Sequence, residues 1–65
     1  MSTAEEIAAS MKYVAELRKR LSITQAELAY RLGVTVATVN RWENGHSAPS
    51  KLALKELKQL DNPVR

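Results

Sequence analysis

Apolar residues recur at helical spacing along this chain, and no segment alternates apolar and polar residues for long enough to form a strand. With only two glycines and two prolines among 65 residues, the periodic segments have few interruptions. They predict an all-α fold whose helices cover about 3–21, 24–32, 35–44 and 50–60. Because no linker, repeat or low-complexity stretch separates these helices, residues 1–65 are expected to form one domain.

The predicted helices are bounded by residues that favour helix ends. Thr24, followed three residues later by Glu27, is a capping box, and Gly33 supplies the stop for the same helix. That helix is too short to persist alone, so it must pack onto its neighbours. The next helix is expected to end at Asn44-Gly45 through a left-handed residue. Caps for the other helices are expected at Ser2 or Thr3, Thr35 and Ser50.

Each predicted helix carries one apolar stripe that is expected to face the core. The predicted inward residues are Ile7, Met11, Val14, Leu17, Leu21, Leu28, Leu32, Val39, Trp42, Leu52, Leu57 and Leu60. Trp42 invites a base-stacking role, but its helical spacing from Val39 favours the core. Ile7 and Met11 leave two alternatives open, because they either wrap the same core or form a dimer seam.

The charge of the chain is uneven. The formal net charge is +3, but residues 1–16 carry a net −2 and residues 17–65 a net +5. A basic surface suits a polyanionic partner, with nucleic acid as the first candidate and a membrane surface as the second. This imbalance alone is not specific, because many proteins without such a partner carry as much charge.

The residue inventory argues against several other classes of protein. Without cysteine the chain has neither disulfides nor thiolate zinc sites, and its single histidine, His46, cannot form a histidine metal cluster. No metal, cofactor or enzymatic activity is expected, because a glycine-rich phosphate loop and a catalytic carboxylate pair are also missing from the sequence. No apolar run approaches the roughly 20 residues that cross a bilayer. We therefore expect a cytoplasmic protein that is not inserted in a membrane.

The most informative segment is 24–45, in which about three residues containing Gly33 join two short helices. This arrangement is typical of a helix-turn-helix. The small side chain of Ala29 permits a close crossing of the two helices, and the pair is expected to pack on the core through Val34, Val39 and Trp42. The second helix of such a pair, here predicted at 35–44, fits the major groove of duplex DNA.

Several motifs in this region resemble the phage-repressor-type helix-turn-helix family, also called the xenobiotic-response-element family. They are Thr-Gln-x-Glu-Leu-Ala, the Leu-Gly-Val turn, Val-Asn-Arg-Trp-Glu-Asn-Gly and a Pro-Ser that opens the next helix. The resemblance covers about residues 14–60 and implies a lambda-repressor-like bundle of four helices, or of five if the chain adds a last one. The longer N-terminal helix and Ser22, where many relatives have glycine, depart from the family pattern.

The resemblance also implies roles for individual residues. Phosphate contacts are implied for Gln25, Thr35 and Asn44, and Lys51 lies near enough to the loop after Asn44 to reach a phosphate as well. The base-reading positions that it implies are Val36, Ala37 and Arg41, with Thr38 and Asn40 close by. For Asn40, phosphate, a base and water alone stay open as partners. A structural ion pair is implied between Arg18 and Glu43.

Together these features predict sequence-specific binding of double-stranded DNA, most simply by a transcriptional repressor that occupies an operator. Because one module contacts few base pairs, a homodimer on a two-fold operator is expected, with half-sites about 34–36 Å apart. Two alternatives stay open. The chain could be an antitoxin or accessory factor whose N-terminal helix docks a protein partner, or the DNA-targeting module of a larger protein.

Overall fold

The computed structural model describes residues 3–61, which form four helices. These are α1 (Ala4–Leu21), α2 (Gln25–Leu32), α3 (Val36–Glu43) and α4 (Lys51–Asp61). The described residues include no β-strand, so the predicted all-α class is confirmed. Ser2, the alternative cap of the first helix, and any fifth helix after residue 61 lie outside the described part. None of the four helices is long and apolar enough to span a membrane.

The helices begin where local capping chemistry places them. At α2, the Thr24 N–H donates to Glu27 Oε1 over 2.8 Å, and the Glu27 N–H donates to Thr24 Oγ1 over 3.0 Å. The same reciprocal capping box joins Thr3 and Glu6 at α1. At α3 the Thr35 hydroxyl accepts from the Thr38 N–H. Since each cap satisfies backbone N–H groups that lack a helical partner, these starts are readable from the sequence.

The first three helices are each followed by a residue with positive φ. Gly33 has φ +72° after α2, and Gly45 has φ +76° just after α3. Asn44, at φ −94°, is not left-handed, so Gly45 is the left-handed residue of the predicted Asn44-Gly45 pair. Ser22 takes the same conformation after α1, at φ +57°. Unlike glycine, serine carries a Cβ that disfavours this region.

Ser22→Gly and Gly33→Ala should therefore change stability in opposite directions. We expect Ser22→Gly to raise the free energy of unfolding by about 0.5–1 kcal/mol, and Gly33→Ala to lower it by about 1 kcal/mol. A Cβ at Gly33 would meet no heavy atom within 4 Å, so the loss is conformational rather than steric. Urea denaturation measures both values. A destabilised Ser22→Gly protein would contradict the account of this turn.

The core lies where α1, α2 and α3 meet, with α4 closing it on one side. Among the described residues, nine hydrophobic side chains form the buried cluster: Val14, Leu17, Ile23, Leu28, Ala29, Val39, Trp42, Ala53 and Leu57. The predicted core position of Trp42 is confirmed, with 5% of its surface exposed. Ala29 is buried in α2, as a close helix crossing requires.

The predicted core position of Leu52 is wrong. It is 67% exposed, and its neighbour Ala53 is buried in its place. The reason is helical register: at about 100° per residue, Leu52 lies about 140° around the helix axis from the fully buried Leu57. Ala53, four residues before Leu57, lies almost directly above it. Because residues 52 and 57 are both leucine, residue type alone does not distinguish the exposed position from the buried one.

Leu57→Ala and Leu52→Ala are a matched pair within α4. We expect Leu57→Ala to lower the free energy of unfolding by about 2–5 kcal/mol, because it leaves a cavity in a fully packed site. Leu52→Ala should stay within about 0.5 kcal/mol of the parent protein. Thermal and urea denaturation followed by circular dichroism test both. Equal losses would mean that Leu52 is also buried in solution.

Ile7 and Met11 extend the apolar face of α1 beyond the core. Both are half-buried, and neither belongs to the buried cluster. Met11 reaches the turn after α3, where its Sδ lies 3.3 Å from the position that a Cβ on Gly45 would take. The additional turns of α1 therefore cover the end of α3, which leaves a dimer seam at these residues a hypothesis.

Candidate nucleic-acid interface

The outer face of α3 is exposed although the helix is anchored on its other side. Val39 and Trp42 are buried, whereas Val36, Ala37, Asn40 and Arg41 are exposed. Val36 is an apolar side chain left 46% exposed, next to the helix start. This face therefore presents two small apolar side chains, an amide and a guanidinium to any partner.

The two threonines at the start of α3 bond to each other. Besides the backbone cap, the hydroxyl groups of Thr35 and Thr38 lie 3.0 Å apart. Thr38 is half-buried, and Thr35 is exposed. The Thr35 hydroxyl is thus committed to the helix cap, and a partner at this end would meet a side chain that is already fixed.

The side-chain amide of Gln25, the first residue of α2, is hydrogen-bonded to other side chains of the protein. Its Nε2 donates to Glu43 Oε1 over 3.0 Å, and its Oε1 accepts from Asn40 Nδ2 at 3.5 Å. Asn44 Nδ2 in turn donates to Asn40 Oδ1 over 2.9 Å. The structure therefore brings Gln25, Asn40 and Asn44 together along the edge of α3 and the start of α2.

Arg18 and Glu43 form a bidentate ion pair between α1 and α3. Arg18 Nε donates to Glu43 Oε2 over 2.7 Å, and Arg18 Nη2 donates to Glu43 Oε1 over 2.9 Å. Arg18 Nη1 also donates to the Ile23 carbonyl over 3.2 Å. With side-chain exposures of 26% and 10%, the pair is partly shielded from water. It ties α1, the loop before α2 and the end of α3 at one point.

Lys51 takes part in none of the hydrogen bonds or ion pairs of this cluster in the described part of the chain. It is exposed at the first residue of α4, where it lines a shallow groove with Glu6 and Ala9 of α1. The hydrogen bonds thus join Gln25, Asn40 and Asn44, and Lys51 is not one of the bonded residues.

A family model described as helix-turn-helix matches residues 14–60. The chain belongs to this helix-turn-helix family. The match confirms the predicted resemblance to the phage-repressor, or xenobiotic-response-element, type and its extent along the chain. Family and fold together support DNA binding by this domain.

One curated relative of this helix-turn-helix domain is the type II methyltransferase M1.ScrFI of Lactococcus lactis subsp. cremoris. It is 39% identical over 59 residues, which cover 86% of this chain. The chain spans only 14% of the methyltransferase's length. No solved structure matches the chain at a significant level.

The ion pair of the helix-turn-helix domain shifts the pKa of both partners. Hydrogen bonding to Arg18 lowers the pKa of the Glu43 carboxyl below its ordinary value, with a further contribution from Gln25, although partial burial opposes the shift. The hydrogen bond to Glu43 raises the pKa of Arg18, against its own desolvation. Both directions agree, so Glu43 is an anion at neutral pH.

The lowered pKa of Glu43 makes part of the stability pH-dependent. Because folding lowers this pKa, the stabilisation is present above the unfolded-state value of about 4.3 and is lost as the pH falls through the native value. We expect Glu43→Gln to be less stable than the parent at pH 7 and to lose less stability on acidification. Denaturation at pH 7, 5, 4 and 3 tests this. Glu16→Gln, at an exposed site with the same charge change, should keep the parental acid response.

Several polar contacts were not predicted from the sequence. Arg20 Nη2 lies 2.6 Å from Asp61 Oδ1, and the Tyr13 hydroxyl donates to Asp61 Oδ2 at 3.5 Å, so α1 is bonded to the end of α4. The bonds of Gln25 to Glu43 and of Asn40 to Gln25 are also unpredicted. Only the Asn40–Asn44 contact had a local signal, since residues four apart on a helix are neighbours.

Proposed function

We propose that this domain binds duplex DNA sequence-specifically, with α3 in the major groove. The observation that carries the proposal is the exposed outer face of α3, whose side chains take no part in the core. Arg41 has the donor geometry for the O6 and N7 atoms of guanine, and Val36 or Ala37 suits the methyl group of thymine. The buried Val39 and Trp42 hold this face rigidly, which direct readout of bases requires.

Phosphate contacts would then fix the position of α3 on the duplex. Gln25 keeps one amide N–H beyond the bond to Glu43, and it lies at a helix N-terminus, where anions are favoured. Thr35 and Asn44 are exposed at the two ends of α3. Lys51 would contribute as a charge nearby rather than as part of the same cluster.

The biological role that fits best is a transcriptional repressor that occupies an operator as a homodimer. A single α3 reaches few base pairs, so a second copy on a two-fold site would supply the missing specificity. Ile7 and Met11, half-buried in the first two turns of α1, are our candidates for the seam.

A second candidate is a DNA-targeting module within a larger protein. It is favoured by the methyltransferase relative, in which the matching region is 14% of the length. The two candidates share the DNA-binding surface and differ in whether specificity comes from a second copy or from an attached domain.

Selection from a randomised duplex library at near-physiological salt tests the proposal. A palindromic consensus would support the dimeric repressor and give its half-site spacing. A single short half-site would favour the targeting module. Retention without sequence enrichment would leave only salt-dependent phosphate binding and would contradict sequence-specific recognition. Absence of retention would contradict DNA binding itself.

Arg41→Ala tests the role of the guanidinium on the selected site. We expect it to weaken binding by about 1–3 kcal/mol and to relax preference at one base position. The charge-matched control is Lys58→Ala, because Lys58 lines a groove between α1 and α4 away from α3. The control should change affinity little and leave preference intact. Equal weakening on all sequences by Arg41→Ala would mean that Arg41 contacts phosphate instead.

A further inference from the structure

A continuous chain of polar side chains runs from the core edge to the outer face of α3. It begins at the Arg18–Glu43 ion pair, passes through the Gln25 amide to Asn40, and ends at Asn44. Glu43 is almost buried, Gln25 half-buried and Asn40 exposed, so the chain leads from a shielded charge to the solvent. The amide of Asn40 is held from both sides, by Gln25 and by Asn44.

The charge of Glu43 sets the direction of every hydrogen bond in this chain. An ionised carboxylate can only accept, so Gln25 must turn its Nε2 toward Glu43 and its Oε1 toward Asn40. Asn40 must then donate from Nδ2 to Gln25, which leaves its Oδ1 to accept from Asn44 Nδ2. Rotating any one amide by 180° would place oxygen against oxygen or N–H against N–H. The three amides therefore have one mutually consistent orientation.

This orientation decides what Asn40 offers to a partner. After the two internal bonds, its Nδ2 keeps one N–H and its Oδ1 keeps one lone pair. A donor and an acceptor side by side on one amide match N7 and the N6 amino group of adenine in the major groove. A side chain that is already oriented also loses less conformational entropy on binding than a free one.

We propose that Glu43 is a positioning residue for base recognition: through Gln25 it holds the Asn40 amide in the orientation that selects adenine at one position of the DNA site. This inference rests on the proposed binding of DNA by α3 and deepens it, because it assigns Asn40 to a base rather than to phosphate or water. Glu43 itself contacts no DNA in this arrangement.

Two substitutions distinguish the orientation of the hydrogen-bonded amides from the strength of the Arg18–Glu43 ion pair. In Glu43→Gln, the new amide can turn either its oxygen or its nitrogen toward Gln25, so the orientation of Gln25 and Asn40 is no longer fixed. Arg18→Lys disrupts the bidentate pair but keeps the carboxylate that only accepts. Both variants lose stability, so the readout is base preference at the Asn40 position, measured by competition between site variants at a temperature where each protein is folded.

We expect Glu43→Gln to reduce the preference for adenine by about fivefold or more, whereas Arg18→Lys retains it. Leu60→Ala, which loosens the partly buried edge of the core on α4, is the control for stability alone and should retain the preference. Asn40→Ala should abolish the preference, and adding Glu43→Gln to it should have no further effect on that position.

An NMR measurement on the free protein tests the hydrogen-bonded series of side chains in the absence of DNA. In Glu43→Gln, the side-chain amide signals of Gln25, Asn40 and Asn44 should shift, and the chemical-shift difference between the two protons of each amide should decrease. The signals of exposed Gln59 should not change. If these signals do not respond, the coupling is absent and the inference fails. If they respond but the protein retains no DNA, the proposed function fails instead.

Two further outcomes of the competition experiment would overturn the inference. Equal loss of preference in Glu43→Gln, Arg18→Lys and Leu60→Ala would mean that preference follows stability alone. Loss in Asn40→Ala without any change in Glu43→Gln would mean that Asn40 recognises its base without help from Glu43.

Discussion

The docking of two very short helices is the constraint on which this domain depends. α2 and α3 have eight residues each, too few to persist in water without tertiary contacts. Leu28 and Val39 are fully buried in the same cluster as Leu17 of α1, and each such side chain contributes about 1.5–3 kcal/mol relative to exposure. Because the buried cluster of the described residues has only nine members, the same few core contacts stabilise the fold and hold the recognition surface in place.

Apolar packing fixes the distance between these helices, whereas the ion pair restrains their relative orientation. Arg18 contacts both the loop before α2 and the last residue of α3, so it restrains the rotation of α3 relative to α1. The pair is partly shielded at the edge of the core, where it keeps some of its solvation and needs fewer compensating bonds than a fully buried pair. The amide chain through Gln25 extends this order to side chains that α3 presents outward.

Local features of the fold were predictable because their causes lie within a few residues. The capping box at Thr24 and the turn at Gly33 depend on neighbours three or four positions away, and the structure confirms them. Of the two caps predicted for the first helix, Ser2 or Thr3, the structure shows Thr3 as the cap and adds a capping box with Glu6. Leu52 is predicted as part of the apolar stripe of the last helix, but its angle around α4 places it in solvent. Among the site residues, the family resemblance implied the Arg18–Glu43 ion pair, and the spacing of Asn40 and Asn44 indicated a further contact. The Gln25–Glu43 bond had no local signal, since the residues stand on different helices.

The sequence by itself determined the all-α class, the helix starts and the family. The helical period, the caps and the Gly33 turn each depend on residues that are close together in the sequence. Only the tertiary structure decided which polar groups meet. Arg18, Gln25 and Glu43 come from three different helices, so their convergence depends on the angles at which those helices cross. Those angles follow from how the core side chains fit together, a property of the packed whole that no single segment contains.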